Sequence, residues 1–133
     1  MEYNVLSHDR YLDKSINFLS SDIIEYDMRE AGFSVIQQNH LLPEKEINRL
    51  KKFPKEQRTI EIGKLERKDK ALKQGKAKAF QYYRELFGSS NELTNEDILS
   101  VKKDAIFVKK YCYNTTFGDF VEFREKNVYK AYM

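Results

Sequence analysis

The stretch DIIEYDMREAGFSVI, residues 22–36, decides the fold of this chain. Its opening run, Ile23-Ile24-Glu25-Tyr26, favours a strand that closes on Asp27. Two adjacent isoleucines predict burial on both faces, so the strand at 22–27 is expected in the middle of a sheet. Behind it, Ala31, Val35, Ile36, His40 and Leu41 recur at helical spacing and predict a helix over 29–41. Asp27-Met28-Arg29-Glu30 has the form of a capping box, an acidic cap with a Glu three residues on. Asp27 therefore has two readings: an ordinary helix cap, or a carboxylate held at a strand tip where metal chemistry is done.

Working outward, residues 1–20 carry a loose helical spacing in Tyr11, Leu12, Ile16, Phe18 and Leu19. Beyond the central stretch, Leu42-Pro43 opens a second helix with Glu44 and Glu46 at its positive end, and Pro54 closes it. From Glu56 to Phe87 the pattern is helical, in two pieces expected to hinge near Gly63 or Gly75. Leu72, Ala79, Phe80, Tyr83, Leu86 and Phe87 form its apolar stripe. A helix stop follows at Gly88-Ser89-Ser90-Asn91, then a capped turn at Thr94–Asp97. A hairpin is expected from strands 98–102 and 105–111, turning at Lys103-Asp104. A second is expected from Phe117–Arg124 and Val128–Met133, joined at Glu125-Lys126-Asn127. One strand, several helices, then four short strands make an α+β domain with an antiparallel sheet and helices on one face.

The totals agree. A chain of 133 residues is enough for one domain, 1–133, with the helical insertion at about 43–88. It is 41% hydrophobic and 34% charged, which excludes a disordered chain. The N-terminus lacks the apolar core of a signal peptide, and no apolar run approaches the roughly 20 residues of a membrane helix. The lone Cys112, flanked by Tyr111 and Tyr113, reads as a small core residue of a cytoplasmic chain. His8 and His40 stand single and unmatched. The net charge of +3 hides an asymmetry: residues 64–78, KLERKDKALKQGKAK, net +5 and leave −2 for the rest. Lys64, Arg67, Lys68, Lys70, Lys73, Lys76 and Lys78 make a stripe that attracts nucleic-acid phosphate, or else a solvated helix face. Phe80, Tyr82 and Tyr83 on that helix could stack bases or simply fill the core.

Asp104 sits at the turn of the first hairpin, an ordinary place for an Asp. If that hairpin pairs beside the first strand, Asp27 and Asp104 meet at one edge of the sheet. Glu25 lies on the same side of its strand as Asp27 and is a candidate third ligand, or a partner for a lysine. Such an oxygen-rich set suits Mg2+ or Mn2+.

Here the sequence resembles a known family. Asp27 to Ile36 resembles the first palm motif of family B DNA polymerases in length, leading Asp, late Ser34 and closing Val35-Ile36. Lys102-Lys103-Asp104-Ala105-Ile106-Phe107-Val108 resembles the third motif, and Lys76 to Tyr83 has the Lys-to-Tyr spacing of the fingers helix. The resemblance implies a palm-like core in which Asp27 and Asp104 are catalytic and hold two metals, and Lys73, Lys76 and Tyr83 meet a nucleoside triphosphate. The sequence departs from the family at Gly32, where the family has Tyr, at Phe80 and Arg84, and at Lys102 in place of the first Asp.

Three functions follow as expectations. The first is template-dependent nucleotidyl transfer with two divalent metals. The second is a non-catalytic nucleic-acid-binding or assembly protein using 64–78. The third and weakest is a nuclease built on Glu25, Asp27 and Glu66-Arg67-Lys68. The compact, aromatic, lysine-rich character suggests a phage protein working in a host cytoplasm.

Overall fold

The structure, a computed structural model, describes residues 22–129. Its strands are β1 (Ile23–Met28), β2 (Ile98–Lys102), β3 (Ala105–Val108), β4 (Thr116–Phe117) and β5 (Val121–Tyr129). Its helices are α1 (Ala31–Gln38), α2 (Glu44–Lys51), α3 (Lys55–Lys68) and α4 (Lys70–Ser90). The helical pattern expected within residues 1–20, and the end of the strand expected to reach Met133, lie outside the described residues.

β1 is central, as expected from its two isoleucines, although only Ile24 is fully buried and Ile23 is half-buried on the other face. The sheet order is β2-β3-β1-β5-β4, with every pair antiparallel. Strand alternation sends Ile24, Tyr26 and Met28 to one face and Glu25 and Asp27 to the other. The first face meets α1 and α4. Ile24, Tyr26 and Met28 pack there with Val35, Ala79, Phe80, Tyr83, Phe87 and Phe123. Phe87 is the hub, its ring centroid 4.6 Å from Phe123 and 5.3 Å from Tyr26. A second apolar cluster, Phe33, Ile36, Ile47, Leu50, Ile62 and Leu72, ties the four helices to one another.

The first hairpin forms with its turn at Lys103-Asp104, but its second strand ends at Val108 and not at residue 111, because the Lys109 N–H leaves the ladder for the Asp97 carbonyl. Its two-residue turn has Lys103 at φ 52, a left-handed position held by a residue other than glycine. Phe120 is exposed while Val121 and Phe123 are buried, as their alternation predicts.

Three local expectations are corrected. The capping box does not form. Asp27 is a strand residue, because β1 runs on to Met28, whose N–H donates to the Asp104 carbonyl. Glu30 is the residue before α1, in the left-handed region at φ 42, with no side-chain cap bond. Its carboxylate pairs instead with Arg58, which also donates to the Leu50 and Phe53 carbonyls.

The long helical region breaks at Asp69 rather than at Gly63 or Gly75. Asp69 is extended at φ −128, ψ 96, and its side chain accepts from the Leu72 N–H, starting α4 afresh. Both glycines stay inside helices, where each costs about 1 kcal/mol and no more.

The tail hairpin is also different. Glu125-Lys126-Asn127 is no turn but part of β5, which pairs with β1 from Phe123 to Tyr129. The true turn lies at Gly118–Phe120, between β4 and β5, with Gly118 at φ 86.

Candidate functional site

The face of β1 away from the helices carries the charged centre. Register places Asp27 opposite Ala105, the residue after Asp104, so the hairpin does bring the two aspartates together. On the other side, β5 slips register between Glu25 and Tyr26: Asn127 pairs with Glu25 and Glu125 with Tyr26. Lys126 is the extra residue, and a bulge of this kind re-aims a side chain. Its ammonium stands 3.4 Å from Asp27 Oδ2 and 4.0 Å from Glu25 Oε2.

The two carboxyl groups on β1 are made unequal by their surroundings. Glu25 is only 7% exposed, and that burial works to raise its pKa. Hydrogen bonds from Tyr129 Oη at 2.9 Å and Asn127 Nδ2 at 3.3 Å, with Asp27 and Lys126 beside it, outweigh the burial. Glu25 is therefore held below the usual carboxylate range and stays ionised. Asp27 is pushed up to about 6, first by burial and then by its hydrogen bond to Glu25. Its Oδ1 is buried without a hydrogen-bond partner among the described residues. Asp104 is raised by burial too, against the pull of Lys126, Lys103 and Arg84. One carboxylate and one neighbouring carboxyl that titrates near neutrality can hold and release a proton. Among the described residues no group of three or more His, Cys, Asp or Glu is arranged to hold a metal ion. Glu25 Oε1 accepts from both Tyr129 and Asn127, and Lys126 lies against Asp27 and near Glu25 Oε2.

A cleft of about 410 Å³, which shares only Asp104 with this centre, opens between the start of α1, the facing sides of α3 and α4, and the β2–β3 turn. Gly32, Lys55, Lys76, Phe80, Lys103 and Asp104 are among its lining residues. Lys76 reaches it but is committed to Glu66 and lies over the Phe80 ring. Tyr83 does not reach it. That side chain is buried in the core with its hydroxyl donating to Asn39 Oδ1 at 2.6 Å.

The basic residues divide as the helix phase dictates. Lys64 lies near Glu61. Arg67, Lys68, Lys70, Lys73 and Lys78 are exposed and make no ion pair among the described residues. Of the aromatic residues on α4, Phe80 and Tyr83 are buried and Tyr82 is 52% exposed. Lys70, Gln74, Lys78 and Tyr82 fall four residues apart, on one row of the helix surface. Sequence reasoning missed Lys126, because it sat in an expected turn, and Lys55 and Lys103, which only the folded cleft collects.

The fold and this charged face define an α+β protein with acidic residues on one sheet face and a basic helical edge. The whole chain, residues 1–133, matches the family described as bacteriophage PBS1 gene 130 protein, and the chain belongs to that family. No curated protein and no solved structure matches it. The phage-like character is thereby borne out. The palm resemblance is overturned, since the match is to this phage family from end to end and to no polymerase palm family. The physical reason lies in how little carried the resemblance. Short strand–turn–strand and strand–helix patterns recur in many α+β folds. Among the described residues, no helix is long and apolar enough to cross a membrane.

Proposed function

We propose that this phage protein binds nucleic acid through the exposed basic edge formed by the end of α3 and the first half of α4. The observation that carries the reading is the row Lys70, Gln74, Lys78 and Tyr82, flanked by Arg67, Lys68 and Lys73. These cations make no ion pair among the described residues, so their charge is available to phosphate. Tyr82 adds a ring on which a base can stack. Lys76, paired with Glu66 in the cleft, is left out of this surface.

The test is salt-dependent binding of labelled oligonucleotides. The logarithm of the affinity is expected to fall linearly with that of the salt concentration, with a slope set by the number of phosphates neutralised. Charge reversal at Lys70, Lys73 and Lys78 together is expected to flatten that slope. Unchanged affinity and slope in the triple variant would sink the reading.

A second reading is metal-assisted nucleotidyl transfer, favoured by Asp27 on β1 lying next to the β2–β3 turn, whose Asp104 lines a cleft with three lysines. Asp27, whose Oδ1 has no hydrogen-bond partner among the described residues, and Asp104 are oxygen donors that suit Mg2+, which would supply Lewis acidity there. Lys126 must then swing away, because an ammonium and a divalent cation compete for the same oxygens. Asp27→Ala and Asp104→Ala are each expected to abolish Mg2+-dependent nucleotide incorporation while the chain stays folded. Absence of incorporation by the wild type with Mg2+ or Mn2+ excludes this reading.

A further inference from the structure

At the far end of α4 from the lysines, an anchored loop displays two tyrosines, Tyr113 almost wholly exposed and Tyr111 half-exposed. Residues 109–114 read KKYCYN. Exposure alternates along them: Cys112 is buried, Tyr111 is 48% exposed and Tyr113 is 91% exposed. A large apolar ring left in water forgoes the stabilisation that burial would bring. Such exposure on a floppy loop would call for no explanation, but the backbone of Cys112, Tyr113 and Asn114 is hydrogen-bonded to the core of the fold.

The clamp is Asn91, the buried residue that ends α4. Its Oδ1 accepts from the N–H groups of Tyr113 at 3.1 Å and Asn114 at 2.9 Å. Its Nδ2 donates to the carbonyls of Asn114 at 2.7 Å and Phe87 at 2.9 Å. Asn114 Nδ2 returns a bond to the Ser90 carbonyl at 2.8 Å, and the Cys112 N–H donates to Tyr26 Oη at 2.9 Å. One buried amide thus uses both its ends to fix the backbone under Tyr113. The entropy of ordering this segment is spent in folding, so a ligand meeting it loses less on binding.

The surroundings name the ligand. Lys109 and Lys110 precede the tyrosines: the Lys109 backbone N–H donates to the Asp97 carbonyl, and the Lys110 ammonium donates to the Glu92 carbonyl while staying exposed. Cations beside exposed rings suit a chain of phosphates and unstacked bases. Bases in a duplex are stacked on each other and offer no faces, whereas a single strand offers one per nucleotide. α4 has 21 residues and is about 31 Å long, so the loop extends the basic edge toward the other end of the same helix.

We infer that Tyr111 and Tyr113 form a stacking platform for the bases of single-stranded nucleic acid, held ready by Asn91. The inference rests on the nucleic-acid reading above and narrows it to unpaired strands.

The experiment compares a labelled oligothymidylate with a duplex of equal length, bound by the full chain at one low salt concentration. Tyr113→Ala and Tyr111→Ala are expected to weaken single-strand binding at least fivefold each, the lower bound for one stacked base. Duplex binding should move by less than twofold, and the salt slope should stay at its wild-type value. Tyr113→Phe, which keeps the ring, should keep wild-type affinity. Tyr113 touches water on nearly every side, so its loss leaves the fold in place. Unchanged single-strand affinity in both alanine variants, or an equal loss on duplex, overturns the inference. If charge reversal at Lys70, Lys73 and Lys78 still weakens binding in that case, the broader reading stands alone. If neither oligonucleotide binds the wild type, both fall.

Discussion

The Lys126 ammonium stands 3.4 Å from Asp27 Oδ2 at the point where β1 and β5 slip register. The contact exists because β5 carries one residue more than β1 between the pairs Glu25–Asn127 and Tyr26–Glu125. Lys126 is raised above the ordinary lysine range by the charge of Asp27 and its hydrogen bond. It acts in return to lower Asp27, against the burial that pushes that carboxyl up to about 6. Replacing Lys126 with Gln is therefore expected to raise the Asp27 pKa further. Carbon NMR titration of the Asp27 carboxyl reads this directly, and added salt should shrink the difference, because Lys126 is exposed and its charge is screened. A downward shift in the variant would show that the pairing is not what it appears in the geometry.

The same carboxyl links stability to pH. A folded-state value of about 6 against an ordinary 3.8 means that the folded chain keeps a proton the unfolded chain has lost between those values. Asp27's contribution to stability is thus present below pH 4 and is lost as pH rises through about 6. Asp27→Asn keeps a neutral side chain at every pH. Its urea midpoint relative to wild type is expected to climb between pH 4.5 and pH 7.5. Glu25 contributes in the opposite sense, its stabilisation being lost as pH falls, and it remains in both proteins. A variant that gains on acidification instead would refute the assignment.

Arg58 joins three segments: it pairs with Glu30, donates to the Leu50 and Phe53 carbonyls, and lies 4.6 Å from the Phe33 ring centroid. Arg58→Met keeps the aliphatic bulk and removes the donors, leaving Glu30 without its cation. The expected cost is about 1.5–3 kcal/mol, the range for hydrogen bonds to a charged group. Chemical denaturation measures it, and Arg58→Lys should recover only part, since an ammonium cannot make the forked contacts. A loss below about 0.5 kcal/mol would place Arg58 among ordinary surface charges.

Gly118 makes the β4–β5 turn at φ 86, and a Cβ there would lie 2.5 Å from Gln38 Nε2. That glutamine also accepts the Phe120 N–H at 3.0 Å. Gly118→Ala is expected to cost about 1–2 kcal/mol for the left-handed backbone, and more if Gln38 gives up Phe120. Gln38→Ala in the same background should relieve the clash and not the backbone strain. Equal midpoints for wild type and Gly118→Ala would refute the turn geometry.

What was legible in the sequence was legible because it is local. The isoleucine pair placed β1 at the centre, alternation found the hairpin at 98–108, and the apolar stripe on 72–87 found the core side of α4. The capping box failed for a non-local reason: Met28 and Arg29 donate to the Asp104 and Glu122 carbonyls, so the chain cannot turn at Asp27. The helix break was misplaced because a glycine only weakens a helix, whereas Asp69 offers the backbone an alternative bond. The aromatic residues on α4 could not be sorted by type. Tyr82 and Tyr83 are neighbours in sequence, and one is exposed while the other is buried, because helix phase points one at the core and the other at water.

By itself the sequence determined the α+β class, the central strand, the first hairpin and the concentration of positive charge in residues 64–78. Each of these depends on residue types repeating over a few positions, which strand and helix geometry convert directly into a face. Only the tertiary structure decided that Lys126 would lie against Asp27, that Lys76 would be spent on Glu66, and that Asn91 would hold Tyr113 out in water. Those contacts join residues 10 to 99 positions apart. Their partners are chosen by strand register, one bulge and the packing of four helices, none of which a short stretch of sequence contains.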